Sequence, residues 1–239
     1  MYKRQLSNSL NLSATNEIYT TTGGNSPQLA INELANRIKD NQIDCALLAG
    51  GEALDTFVGR LKEGLETKWE DNPGGEPEII GKSDDGTNDH EKLHGLFDPS
   101  AVYPLFANAL RSLNNQTIRE HMEDTSELFE RFSEVASRNE FAWFPIHRSA
   151  TEIAEIKPEN RMIGLPYTKY MNSIMRVNQS SAMVMMSAKK ARELGISESK
   201  WVFIYSGACL NDIWNLSDRS DYHSSPAIKA CTDKVFDLA

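Results

Sequence analysis

Cysteine is scarce in this sequence: Cys45, Cys209 and Cys231 are the only three in 239 residues. They are odd in number, far apart and free of C-x-x-C or His-pair spacing, so neither a disulfide framework nor a zinc site is supported. Each reads as a reduced thiol serving as a small buried hydrophobe. Long apolar runs are missing too. Residues 45–49, 182–186 and 201–205 are the longest, about a quarter of the roughly 20 residues that cross a bilayer, which excludes a membrane span. The first twenty residues begin Met-Tyr-Lys-Arg but continue polar, with no apolar stretch and no cleavage site, so the expected compartment is the cytoplasm. Positive charge is in short supply: 25 Lys and Arg face 34 Asp and Glu, for a net charge of −9 and a pI near 5.1. That balance excludes a nucleic-acid partner, which is held by clustered cations. A phosphorylated small molecule stays open, because it needs only a few local cations and backbone N–H groups.

What is present is an ordinary globular composition, 40% hydrophobic with a mean hydropathy of −0.48, enough for one large core or two modest ones. Ser26 followed by Pro27 predicts a helix start, and Ile31, Leu34, Ala35 and Ile38 mark one buried face of a helix running to about Asp40. The unalternated run 45–49, ending at Gly50-Gly51, predicts a central parallel strand buried on both faces. Residues 59–95 are an excursion with turn clusters at Pro73-Gly74-Gly75, Gly81 and Gly86. Helical patterning returns over 101–113 and from about Thr125, where Phe129, Phe132, Val135 and Ala136 share a face that ends at Asn139. A second buried strand is expected to end at Ser187, and a short helix to close at Gly195. Residues 201–205 predict a third strand, 211–223 a polar loop, and Ser225-Pro226-Ala227 a second Ser-Pro helix start. That last helix presents Ile228, Cys231, Val235 and Leu238 on one side and reaches Ala239 with no cap or following strand. The expectation is a chain cut from a longer protein.

Several segments resemble the thiolase superfamily, specifically the acetyl-CoA acetyltransferase and thiolase-like group related to the sterol-carrier-protein thiolases. They are Gly23-Gly24-Asn25-Ser26-Pro27-Gln28, Ala46-Leu47-Leu48-Ala49-Gly50-Gly51-Glu52-Ala53, His121-Met122-Glu123-Asp124-Thr125, the run from Asn160 to Lys169, the strand ending at Ser187, and Ser224-Ser225-Pro226-Ala227-Ile228. The resemblance implies an α/β, layered αβαβα fold, incomplete here, with a largely helical loop-domain insertion. Residues 1–55 and 173–198 would belong to the first half of that fold, 56–172 to the loop domain and 199–239 to the start of the second half. It also implies an acyltransferase-type parent in lipid metabolism that handles acyl-CoA thioesters. Coenzyme A enters as part of the substrate, with no separate cofactor or metal, and the intact parent would be a homo-oligomer, with a small partner subunit in some relatives.

Family enzymes place a nucleophilic Cys at a helix N-terminus, where the macrodipole and free N–H groups favour the thiolate. On the resemblance that position is Gly24, which cannot be acylated, and the second-half catalytic loops fall beyond Ala239. This chain is therefore expected to be inactive as a thiolase. Two alternatives stay open: a non-catalytic module binding acyl-CoA or a partner, and a relative of the cysteine-less thioester aldolases. For ligand contact the resemblance points to His121 and Met122, although the Gly that usually follows them is Glu123 here. His121 has two roles open to it, ligand contact or a solvated position ahead of the Thr125 helix. Arg161 and Lys169, with Tyr167 and Arg176 nearby, concentrate cationic and hydrogen-bonding groups suited to phosphate, or are ordinary surface charges. Asn178 reads as a structural residue supporting the main chain.

Overall fold

A computed structural model describes residues 5–67, 76–82 and 85–239. The Met-Tyr-Lys-Arg start and the Pro73-Gly74-Gly75 cluster lie outside the described residues. In chain order the elements are α1 (Gln5–Ser9), β1 (Ile18–Thr20), α2 (Ser26–Lys39), β2 (Cys45–Ala53), α3 (Leu54–Lys62), β3 (Glu78–Ile80), α4 (Asp89–Leu93), α5 (Pro99–Leu113), α6 (Ile118–Ser137), α7 (Ala150–Ala154), β4 (Met162–Gly164), β5 (Tyr167–Thr168), β6 (Asn178–Met186), α8 (Ala188–Glu193) and α9 (Pro226–Leu238). They gather into two compact units, Met1–Ser83 with Asn178–Leu210 and Lys229–Ala239, and Asp84–Val177 with Asn211–Ile228. No helix among the described residues is long and apolar enough to cross a membrane.

In the first unit, the Ser26-Pro27 pair opens α2 as its sequence predicts, but the capping position falls on Asn25. Ser26 is buried and its Oγ donates to the Thr21 carbonyl at 2.7 Å, so it ties the preceding turn to the helix instead of capping it. Ala30 and Leu34 carry the buried face. The second Ser-Pro start behaves as expected: Ser225 Oγ accepts from the Ile228 N–H at 3.2 Å at the head of α9. Near the far end of α2, Arg37 forks onto Glu78 of β3 and also holds Glu33 one turn back at 2.8 Å. That ion pair fastens α2 to the parallel β1–β3 pair.

The strand expected over 45–49 differs from its prediction in three ways. It is longer, β2 continuing through Gly50 and Gly51 to Ala53; it pairs antiparallel with β6, from Cys45 opposite Met186 to Ala53 opposite Asn178; and it is largely exposed. The glycines do not end it because they face Ser181 and Ser180, small residues that let the ladder run on. Exposure follows from a two-stranded ladder whose faces have little packed on them, leaving Leu47 and Val184 well exposed. Cys45 and Cys209 are accordingly exposed and Cys231 is half-buried, which corrects their reading as buried hydrophobes. Residues 201–205 form no strand: with no ladder alongside among the described residues, their β preference goes unused and Val202 is 93% exposed. Asn178 is structural, as its sequence setting suggests. Ala53, the residue before α3, has no capping side chain, and Asn178 opposite it accepts from the Thr56 N–H at 3.1 Å while donating to Thr56 Oγ1 at 2.9 Å. A cap of this kind contributes about 1 kcal/mol.

The second unit is built around the β4–β5 hairpin and the helices α4 to α7. α5 begins at Pro99 behind Asp98. α6 begins at Ile118, seven residues before the expected Thr125, because Thr117 and Glu120 form a reciprocal capping box. Asn160 and Thr168 are fully buried polar residues. The Asn160 amide nitrogen donates to the Ile153 and Glu155 carbonyls at 2.9 and 2.8 Å, and its oxygen accepts from the Tyr170 N–H at 2.8 Å. Thr168 Oγ1 adds a bond to Ile153 O at 2.8 Å, so α7 is locked onto the hairpin. Glu91 has a similar task for the 211–228 segment. It caps α4 through Asn88 and accepts from the Ser217 N–H at 2.5 Å. Burial raises the Glu91 pKa, but the Ser217 and Asn88 hydrogen bonds outweigh it and hold the carboxyl at about 2.

Asn160→Ala leaves the Tyr170 N–H and the Glu155 carbonyl without the Asn160 partner and strips one of two bonds from the Ile153 carbonyl, so a loss of about 3 kcal/mol is expected in urea unfolding. A loss below about 1 kcal/mol contradicts this account. Glu91 has its folded pKa depressed, so its stabilisation is present above 4.5 and is lost as pH falls towards 2. Thermal melts across that window are expected to show a steep acid decline that Glu91→Gln flattens, the variant melting lower than the parent at neutral pH.

Candidate functional site

The capping box places Gln116 just outside α6 and His121 one turn in, with the His121 N–H donating to Thr117 O at 3.1 Å. His121 therefore lies within the helix rather than ahead of it. His121 and Met122 are both half-buried, and as consecutive helical residues they leave the axis about 100° apart. Gln116 Nε2 donates to Asp124 Oδ2 at 2.5 Å, and Gln116 Oε1 lies 3.4 Å from His121 Nδ1. Behind them Arg111 donates to the Gln116 carbonyl at 2.8 Å and to Asn108 Oδ1 at 3.3 Å. Burial is the main cause that lowers the His121 pKa; the Arg111 charge adds to it, and Asp124 opposes. Burial therefore favours the neutral imidazole.

Arg161 and Lys169 come together at the hairpin, where the Lys169 N–H donates to Arg161 O at 2.9 Å. Both side chains are exposed, and among the described residues neither meets a carboxylate within salt-bridge distance. Tyr167, half-buried between them in sequence, has its pKa raised by that burial. Asn108 connects the hairpin to the His121 group: its amide donates to Leu165 O and Pro104 O, both at 2.9 Å. Among the described residues no hydrogen bond or ion pair runs directly from His121 or Met122 to Arg161 or Lys169. Asn108, Arg111, Gln116 and Asp124 are the site residues that sequence reasoning missed. The Thr117-Ile118-Arg119-Glu120 capping signature was the available signal, since it fixes which residues share the first turns of α6.

Gly24, in the first unit, lies in the turn before α2. A Cβ built there meets nothing within 4 Å, so lack of space does not explain the glycine. The neighbouring Ser26 hydroxyl is buried and donates to Thr21 O.

These elements make up the thiolase-like α/β fold. The particular likeness is to a monomeric SCP2-thiolase like protein type 1 from Mycobacterium smegmatis: 28% identity and a TM-score of 0.69 over 91% of this chain. The chain spans about 40% of the length of that structure. No protein-family model and no curated protein matches the sequence. The match supports the thiolase-like, SCP2-thiolase-related group that the sequence segments indicate.

With its folded pKa depressed, His121 is protonated more readily in the unfolded chain, so its contribution opposes folding as pH falls through 6.5. In an NMR titration His121 is expected to titrate below 6.5, with Arg111→Met raising the value and Asp124→Asn lowering it further. A value at or above 6.5 in the parent protein contradicts the burial described here.

Proposed function

We propose that this chain binds acyl-CoA thioesters through its second unit and supplies no thiolase nucleophile, serving as the CoA-handling part of an acetyl-CoA acetyltransferase-like protein. The observation that carries it is the pairing of Arg161 and Lys169 at one hairpin, exposed and without carboxylate partners among the described residues, in a chain of net charge −9. Eleven other Lys and Arg residues have acids beside them, Arg37, Arg119, Arg148 and Lys229 among them. Two adjoining cations left unneutralised suit the phosphates of coenzyme A. Half-buried, neutral His121 and the thioether of Met122 suit the uncharged pantetheine and acyl portion. The likeness to a protein described as SCP2-thiolase like lends support. On this view the loop-domain insertion expected over 56–172 corresponds to the second unit, whose first segment is Asp84–Val177.

Gly24 carries the second half of the proposal. Thiolase chemistry needs a thiolate to take the acyl group, and neither Gly24 nor the Ser26 hydroxyl supplies one. The matched protein is described as monomeric, and binding as proposed requires only one copy. A cytoplasmic setting agrees with three unpaired thiols.

Coenzyme A is expected to raise the melting temperature of the chain, the stabilisation reaching about 2.7 kcal/mol at a hundredfold excess over Kd. Arg161→Ala with Lys169→Ala is expected to weaken binding about tenfold or more. Acetoacetyl-CoA thiolysis should be absent. A CoA-independent melt overturns binding, and thiolysis abolished by Cys45→Ser overturns the absence of a nucleophile.

A further inference from the structure

The contacts around Gln116 determine the orientation of its amide and, through it, the proton position on His121. A carboxylate only accepts hydrogen bonds, so the NH2 end of Gln116 must be the end turned to Asp124, 2.5 Å away. The carbonyl end is then the one presented to His121, at 3.4 Å from Nδ1. A carbonyl also only accepts, so Nδ1 carries the hydrogen, and in a neutral imidazole Nε2 is left with a bare lone pair. Among the described residues no hydrogen bond uses His121 Nε2. The 3.4 Å contact is long for a hydrogen bond, so it selects between tautomers and adds little to stability. The backbone holds the arrangement: Arg111 fixes the Gln116 carbonyl, and the capping box fixes the first turn that carries His121.

We propose that Gln116, oriented by Asp124, is a positioning residue that holds His121 as the Nδ1–H tautomer, so that Nε2 accepts a hydrogen bond from an N–H or O–H donor of the ligand. The proposal rests on the acyl-CoA binding put forward above and sharpens it. The group met by His121 is a donor such as a pantetheine amide N–H. A thioester carbonyl oxygen or a developing oxyanion, which would require a donor at Nε2, does not fit.

Long-range nitrogen–proton correlation spectra of 15N-histidine-labelled protein test this at a pH well above the ordinary imidazole value of about 6.5. Loss of signals in His121→Gln assigns the residue. A pyrrole-type Nδ1 and a pyridine-type Nε2 are expected. The preference should be lost in Gln116→Leu and kept in Gln116→Glu, which retains an acceptor. An Nε2–H tautomer in the parent protein, or a Gln116→Leu spectrum identical to it, overturns the positioning role. Added coenzyme A should then move the Nε2 resonance and leave Nδ1 in place. If coenzyme A raises the melting temperature but leaves Nε2 unmoved, the ligand contact is overturned while acyl-CoA binding stands. If coenzyme A changes neither the melt nor Nε2, acyl-CoA binding and the contact both fall, and Gln116 is judged on the tautomer alone.

Discussion

The first turn of α6 is the constraint from which the candidate site follows. Thr117 Oγ1 accepts the Glu120 N–H at 3.2 Å, and the Glu120 carboxylate accepts the Thr117 N–H at 2.7 Å. Two otherwise unpaired helix-end donors are satisfied at once, and the helix starts at Ile118 and nowhere later. That start fixes the phase of everything after it. His121 and Asp124, three residues apart, share a face, and Gln116, left just outside the helix, reaches both. Had α6 begun at Thr125, His121 would sit in an open turn with no fixed partner. Stability at the cap and chemistry at the imidazole are therefore one local choice of the sequence.

Helices were the legible part of this chain, since period and capping chemistry act over a few residues and are written into them. Ser26-Pro27, Ser225-Pro226 and the apolar faces of α2 and α5 lead to helices close to where they are observed. α6 starts earlier than its phenylalanine face alone indicates because the Thr-x-x-Glu signature at 117–120 sets the first turn. Strands were less legible, because a strand is defined by its neighbour and the neighbour lies far away in sequence. The run 45–49 announces extended backbone, yet only the pairing with 178–186, more than a hundred residues on, decides that the ladder is antiparallel and continues past two glycines. For 201–205 the composition is as β-prone as any in the chain, and without an adjoining ladder among the described residues it forms no strand and is largely exposed.

The site was legible in its residue types and not in its connections. Arg161 and Lys169 are eight positions apart, and the hairpin between them brings their backbones into contact. Buried Asn160 and Thr168, each next to one of the two cations, are what hold that hairpin against α7. Asn108 and Arg111 carry no motif at all. Their importance comes from facing the hairpin on one side and Gln116 on the other, a relation that exists only once α5 is folded.

The contrast between Gly24 and His121 bears on what such a chain can do. A nucleophile must sit where a helix end lowers its pKa, and α2 offers such an end, with open space where a side chain would go. The sequence leaves it as glycine and commits the nearest hydroxyl, Ser26, to holding the turn. At His121 burial favours the neutral imidazole, and Nδ1 faces a Gln116 amide that is itself oriented by Asp124. On the proposed binding, an acceptor held in one orientation would select a ligand by the direction of its N–H or O–H groups. The proposed division, a recognising imidazole at His121 with no nucleophile at Gly24, rests on that contrast between the two positions.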